Sequence, residues 1–323
     1  MTLRFDPAKV DDAEFVAEIW SAITPDDPQG AESVVNEWER VTIEARPFEH
    51  WILSDGDERI GYALRRHAPY DVVRERYGRV EVDIFPAARS EQRLADAYAF
   101  VEQRSRDDGT EIFITEARRD DGVLLDFVSR RGYREERAER VWDLDLAAER
   151  ERLLSMVQES RKRMRELGVD VLTLDRLNGA DRYRKLYEAT AEAEQDVPST
   201  APFVPEPFEA FMHWLRAPGL QADRTWVALR DGEPVGLSML KFPSRGVVRT
   251  EWTGVARRAR GLGIARALKL ETLAQAIDLG VARVRTDNDG ENEPILRLNT
   301  ALGYRYVSEW VELMKVDSGP AGR

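Results

Sequence analysis

The 323-residue sequence contains no cysteine. Disulfides, a thiolate nucleophile, an acyl-cysteine intermediate and cysteine-ligated zinc are therefore excluded. Histidine is scarce: His50, His67 and His213 are the three present, and no two stand at metal-ligand spacing. A histidine-based metal site is not expected, and carboxylate-only cation sites stay open. No apolar run approaches the roughly 20 residues needed to span a bilayer. The opening Met1-Thr2-Leu3-Arg4-Phe5-Asp6-Pro7 has neither the basic segment nor the apolar run of a secretion signal. The expectation is a cytoplasmic protein with no membrane partner. An excess of positive charge is also missing. The 48 Lys and Arg are outnumbered by 60 Asp and Glu, for a formal charge of −12. Such a balance argues against a large nucleic-acid footprint, which needs a dominant basic face. A small basic pocket for a phosphorylated ligand is compatible with it.

Apolar residues are plentiful, at 42% of the chain with 9% aromatic, so sizeable cores can form. At roughly 150 residues per domain the length suggests two domains, which together would bury about three quarters of the extended surface. The sequence carries an internal repeat that supports this division. Trp51-Ile52 runs through Asp55-Gly56 to Ile60-Gly61, and Trp226-Val227 runs through Asp231-Gly232 to Val235-Gly236. Each is a pair of β-prone runs around a turn-forming Asp-Gly, the pattern of a β-hairpin. Further along, Ile84 matches Val255, Gly109 matches Gly280, Thr115 matches Thr286, and Gly132-Tyr133 matches Gly303-Tyr304, all at an offset of 171. The chain reads as two copies of one domain, 1–148 and 149–323.

Periodicity predicts the same order of elements in both copies. The first has an extended start at Leu3-Arg4-Phe5, a helix over 12–23, the hairpin, a strand over 79–85, a helix over 90–107, a strand over 111–115, a helix over 122–130 and a strand over 141–146. The second has a strand over 170–174, a helix over 181–194, a hairpin over 225–242, a strand over 247–255, a helix over 262–279, a strand over 282–286, a helix over 294–301 and a strand over 306–314. The charge-rich stretch 149–167, with Leu153, Met156, Val157 and Met164 as a thin apolar stripe, reads as a helix joining the copies.

The segment Val255-Ala256-Arg257-Arg258-Ala259-Arg260-Gly261-Leu262-Gly263-Ile264-Ala265, followed by Arg266, lies between a predicted strand and a predicted helix. It places four arginines within ten residues of an acidic chain and two glycines where a helix begins. Glycines allow close approach to a ligand, and first-turn N–H groups lack helical partners. Together with the helix dipole they suit a pyrophosphate. The alternative is a basic surface turn whose glycines serve packing. A phosphate-binding loop ending in Gly-Lys-Ser/Thr does not fit, because Gly263 is followed by Ile264-Ala265. A dinucleotide Gly-x-Gly-x-x-Gly fails because position 266 is Arg.

Arg258-x-x-Gly261-x-Gly263 resembles the Arg/Gln-x-x-Gly-x-Gly/Ala acyl-CoA signature of the GNAT superfamily of N-acetyltransferases. Asn292-Glu-Pro-Ile-Leu-Arg-Leu-Asn299-Thr-Ala-Leu302-Gly303-Tyr304 is similar to that family's Asn-bearing helix and Leu-Gly-Phe/Tyr turn. The likeness covers about 150 C-terminal residues with specific motifs, and only the order of elements in the N-terminal copy. The two-copy layout is similar to tandem GNAT proteins, including mycothiol synthase-like ones. The resemblance implies an α/β (α+β) protein of two tandem GNAT folds, each a mixed, mostly antiparallel sheet flanked by helices.

It further implies that acetyl-CoA is the acyl donor, with no metal. The backbone of Gly261, Leu262, Gly263, Ile264 and Ala265 would cradle the pyrophosphate, with Arg258 and Arg260 supplying charge. The main chain of Val255 and Arg257 would pair with the pantetheine, and Asn292 would contact the cofactor. Direct transfer to an amine needs a base, an oxyanion site and an acid for the leaving thiolate. Glu251 is the expected base, with Asp196 a second candidate. The family's usual tyrosine acid corresponds to Asn299, which cannot donate a proton as an acid. Tyr306, Tyr183 or solvent would then serve. Pro198 to Pro207 reads as a loop over the acceptor cleft, and Phe203, Phe208, Phe211, Met212 and Trp214 would line an acceptor pocket or simply pack. Subtracting 171 puts Ser90 at Gly261, Gln92 at Gly263 and Ala87 at Arg258, so the N-terminal copy should be degenerate. The expected partner is a small-molecule amine, with no nucleic acid, and a homodimer stays open. The competing reading is a non-catalytic acyl-CoA-binding or sensing module.

Overall fold

A computed structural model describes residues 3–44 and 46–317. The chain forms two compact units. The first comprises Met1–Glu139, Ser199–Val204 and Ser308–Arg323, and the second Arg140–Pro198 and Pro205–Val307. The expected boundary at 148/149 falls inside a helix. The chain instead passes between units within two 12-residue strands, β6 (Arg134–Asp145) and β12 (Arg305–Val316). A typical strand has about five or six residues, and here one strand supplies residues to both units.

In the first unit β1 (Arg4–Pro7) leads to α1 (Ala13–Ile23) and α2 (Ala31–Ile43). The hairpin β2 (Phe48–Asp55) and β3 (Glu58–Arg66) follows, then β4 (Tyr77–Ile84), α3 (Glu91–Asp107), β5 (Ile112–Arg118) and α4 (Gly122–Arg130). Its strand order is β1-β2-β3-β4-β5-β12. Only β4 and β5 are parallel; β12 closes the sheet antiparallel to β5, from Trp310↔Arg118 to Val316↔Ile112. Alternation along the strands builds two cores. Leu53 and Ala63 pack with Leu94, Val101 and Phe127 of α3 and α4. Ile52, Tyr62 and Leu64 face Val16, Ile19, Val34 and Trp38 of α1 and α2.

The second unit begins with the end of β6 and α5 (Leu146–Glu166), whose Asp145 accepts the Ala148 N–H at 2.9 Å as an N-cap. Next come β7 (Val169–Thr173), α6 (Arg182–Glu194), α7 (Phe208–Trp214), β8 (Thr225–Arg230), β9 (Glu233–Lys241) and β10 (Arg249–Val255). α8 (Ile264–Asp278), β11 (Arg283–Asp289) and α9 (Glu293–Leu302) complete it. The order is β6-β11-β10-β9-β8-β7. Helix α8 is apolar almost all round because the sheet covers one side and α5 the other, so even Lys269 and Glu271 are buried on it. Both units are thus mixed, mostly antiparallel sheets flanked by helices, repeated in tandem. Gly132 and Gly303, matched by the 171 offset, both hold a left-handed φ, 97° and 98°. Among the described residues no helix is long and apolar enough to cross a membrane.

Candidate acyl-CoA site

Strand β10 ends at Val255, a single 3-10 turn covers Arg257–Ala259, and α8 begins at Ile264. Gly261 and Gly263 between them hold φ of +76° and +86°. A side chain there would be strained. A Cβ on Gly261 would meet nothing within 4 Å, and one on Gly263 only Arg163 Nε at 3.6 Å, so the loop's surface is bare backbone. Ile264 is buried against Ala259 and Leu268, which fixes the first helical turn. Gly263 is the N-cap and no side chain caps the helix. The first-turn amides are therefore left for a ligand or water. In the first unit Ser90, at the position matching Gly261, accepts the Arg93 N–H at 3.2 Å and caps α3 with its own hydroxyl.

The arginines of the loop are held by acids from the end of α6. Arg257 donates to Asp196 through Nε at 2.8 Å and Nη2 at 2.6 Å, and Arg260 Nη1 donates to the same carboxylate at 2.5 Å. Hydrogen bonds from the two guanidiniums hold Asp196 well below the usual carboxylate range. Arg258 pairs with Glu192 at 3.3 Å and donates to the Pro234 carbonyl at 2.8 Å. The main-chain groups expected for the pantetheine are engaged too: the Arg257 N–H donates to Glu192 Oε1 at 2.8 Å, and the Val255 carbonyl accepts from Arg260 Nε at 3.0 Å. A bound pantetheine would displace Glu192 from the Arg257 amide. Asp196, the second candidate base, is committed to cations. Leu262 offers its carbonyl to Arg163 at 3.2 Å, and Ala265 is partly buried in the first turn. Asn292 is the N-cap of α9, and its side chain makes no capping bond.

Beside the loop, β10 and β11 pair in parallel at Arg249↔Arg285 alone, and β10 beyond that point runs unpaired on this side. A notch between diverging strands results. On its other side β10 pairs with β9 through a shift between Thr250 and Trp252, which leaves Glu251 as an extra residue. Bulges interrupt the alternation of side chains. Glu251 and Trp252 consequently both reach Trp214 of α7, Glu251 accepting its indole N–H at 3.4 Å and Trp252 packing edge-on at 6.1 Å. Lys241 Nζ lies 3.9 Å from the Glu251 carboxylate. The matching strand β4 pairs with β3 without a shift, so the first unit has no such bulge.

Of the expected acceptor-pocket residues, Phe211 is buried in the core of the α6–α7 face. Phe208, Met212 and Trp214 pack against that core, and Phe203 is exposed within the 199–204 segment that belongs to the first unit. Asn299 is completely buried, as is Tyr304, whose hydroxyl lies 3.4 Å from Thr250 Oγ1. Burial pushes the Tyr304 phenol well up. Tyr306 is half exposed beside Trp142, and Tyr183 lies under the Arg182 guanidinium. Glu192 joins the site without belonging to any motif.

The sequence of residues 183–304 matches the model of the GNAT acetyltransferase family. This stretch is a GNAT domain. It spans the loop, the notch and the helix after it, and the match supports acyl transfer as the reaction class. Among solved structures, a tandem GNAT protein from the clavulanic acid biosynthesis pathway is similar over 99% of this chain and 100% of its own, with 17% identity and a TM-score of 0.72. A GCN5-related N-acetyltransferase from Sphaerobacter thermophilus is similar over 97% and 95%, with 20% identity and a TM-score of 0.68. A glucosamine N-acetyltransferase region of a fungal multi-domain β-N-acetylglucosaminidase covers 97% of this chain and 38% of its own, with 14% identity and a TM-score of 0.68. At these identities the likeness shows the fold, a tandem pair of GNAT folds. No curated protein matches the chain.

Proposed function

We propose that the chain is an acetyl-CoA-dependent acyltransferase whose GNAT domain moves an acetyl group directly to a small-molecule amine. One observation carries this reading: an uncapped helix N-terminus behind two left-handed glycines, placed beside the strand that diverges from β11. Bare backbone amides, a positive helix end and three flanking arginines suit a pyrophosphate. The open edge of β10 suits the amides of pantetheine. CoA, when bound, supplies the activated thioester. The chain's own groups would do the rest: Glu251, set out of register by the bulge and half-screened by Trp214, takes the proton from the attacking amine. The absence of cysteine removes an acyl-cysteine route, leaving direct transfer as the simpler mechanism.

The test is free-thiol release from acetyl-CoA across an amine library, alongside Glu251→Gln. Turnover with at least one amine is expected, falling by about 10²- to 10⁴-fold in the variant with acetyl-CoA affinity unchanged. Binding of acetyl-CoA without turnover by any amine would favour the sensing module. Unchanged turnover of the variant at all pH values would remove Glu251 from the mechanism.

A further inference from the structure

Where a GNAT-like acid would be sought on α9 there is Asn299, and Asn299 is occupied. Its side-chain oxygen accepts a hydrogen bond from Lys269 Nζ at 2.7 Å, and its nitrogen donates to Asn288 Oδ1 at 2.5 Å. Lys269 rises from the second turn of α8 and is 1% exposed, yet no carboxylate lies in its hydrogen bonds. Its Nζ lies 4.9 Å from the centre of the Tyr304 ring, and the Tyr304 hydroxyl reaches Thr250. Thr250 is the residue after the last paired position of β10, and Asn288 lies three beyond the last paired position of β11. Through Asn299 and Tyr304 the lysine is thereby linked to both strands just beyond the point where they part.

The charges around it come from every packed element. Asp287 on β11 faces Lys269 and is itself paired with Arg249 of β10 at 2.5 Å. Asp143 on β6, which bears on Tyr304, is held by Arg285 at 2.8 Å. Arg161 on α5 is bound to Glu271, two residues along α8. Burial lowers the Lys269 ammonium to about 7, so it can give up a proton near neutrality. The first unit places Tyr98 at the equivalent position by the 171 offset, with its hydroxyl 3.0 Å from Thr115 Oγ1 of β5. The same helix position thus carries a buried polar group in both copies, toward β5 in the first and toward α9 in the second.

We propose that Lys269 is the acid for the departing thiolate, a reading that rests on the GNAT domain binding acyl-CoA in the notch. The amine nitrogen bonds to the thioester carbon, and the carbon–sulfur bond breaks with its electron pair on sulfur. The sulfur takes a proton from the Lys269 ammonium. The neutral lysine is reprotonated through water by the proton that Glu251 took from the acceptor nitrogen, which balances the step and resets both groups. Asn299 acts as a positioning residue that holds Nζ in place.

The experiment compares leaving groups. CoA affinity of the full chain is measured by calorimetry, and transfer to an amine found by the thiol-release screen is followed with acetyl-CoA and with the acetyl thioester of an aromatic thiol, whose thiolate leaves without needing a proton. Lys269→Met should keep CoA affinity, lose about 10²- to 10⁴-fold in turnover of acetyl-CoA and lose little with the aromatic thioester. Equal losses with the two donors, or no loss with acetyl-CoA, overturn the proposal. Failure of the wild-type chain to bind CoA overturns the parent reading and this one together, whereas CoA binding with turnover insensitive to Lys269→Met overturns only the lysine.

Discussion

Gly263 concentrates two requirements in one residue: a left-handed φ of +86°, and a surface with nothing beyond Arg163 near it. Any other residue there costs about 1–2 kcal/mol of backbone strain, which a folded domain of ordinary stability tolerates. Gly263→Glu adds a carboxylate at the positive end of α8, where the pyrophosphate is expected. Its predicted outcome is a folded protein, about 1–2 kcal/mol less stable, with CoA binding lost in calorimetry. Gly263→Ala separates the effects, since it carries the strain without the charge and should retain measurable binding. Wild-type affinity in the glutamate variant would mean that CoA does not sit on this loop. The glycines and arginines are legible in the sequence because their chemistry is local. The partners of those arginines are not: Asp196 and Glu192 lie 61 to 66 residues away from them, and only the packing of α6 beside β10 brings them in. The bulge at Glu251 is equally a product of pairing with β9.

At the level of elements, most helices and strands follow from periodicity and turn chemistry, to within a few residues at their ends. The second hairpin turns at Asp231-Gly232, both with positive φ, as its Asp-Gly implies. The first hairpin pairs Asp55 with Glu58, so its turn is Gly56-Asp57, one residue on from the expected pair. Helix α2 lies outside the expected elements although Val34, Trp38 and Val41 recur at helical spacing. Its buried stripe is narrow, and polar or charged residues such as Asn36, Glu37, Glu39 and Arg40 fill the positions between. Strand β4 illustrates what an element's surroundings add. Burial raises Glu81 to about 7, helped by the neighbouring Glu116, and burial raises Asp83 to about 6 against a hydrogen bond from the Trp20 indole. Both carboxyls hold protons more tightly when folded. Their contribution to stability is full below the unfolded values near 4 and is lost as pH rises through the folded values. Glu81→Gln should therefore flatten the fall in thermal stability between about pH 4 and 7, most at the alkaline end. An identical pH dependence of melting in wild type and variant would show that Glu81 ionises freely.

At the scale of the whole molecule, the sequence repeat and the compact units do not coincide. The repeat ends its first copy near 148, whereas the first unit also takes Ser199–Val204 and Ser308–Arg323. Strand β12 contributes seven paired residues to β5 and places Val311 and Leu313 in the first unit's core. Lys315 joins Arg131 and Arg106 on the buried Glu102 carboxylate, and Glu312 accepts from Arg79. A chain ending at 148 would lose Val311, Leu313, Glu312 and Lys315 with their contacts, leaving the β5 edge unpaired and open to association. Two buried aliphatic residues removed from a core cost several kcal/mol, a large part of a domain's stability. The fragment 1–148 is therefore predicted to be aggregated or to melt without cooperativity, by light scattering and calorimetry, and joining 305–317 to it through a flexible linker should restore a cooperative transition. A cooperatively folded, monomeric 1–148 would show β12 to be dispensable. It follows that CoA binding by the first unit is properly measured in the full chain carrying Gly263→Glu, where the Ser90 cap on α3 predicts no residual binding.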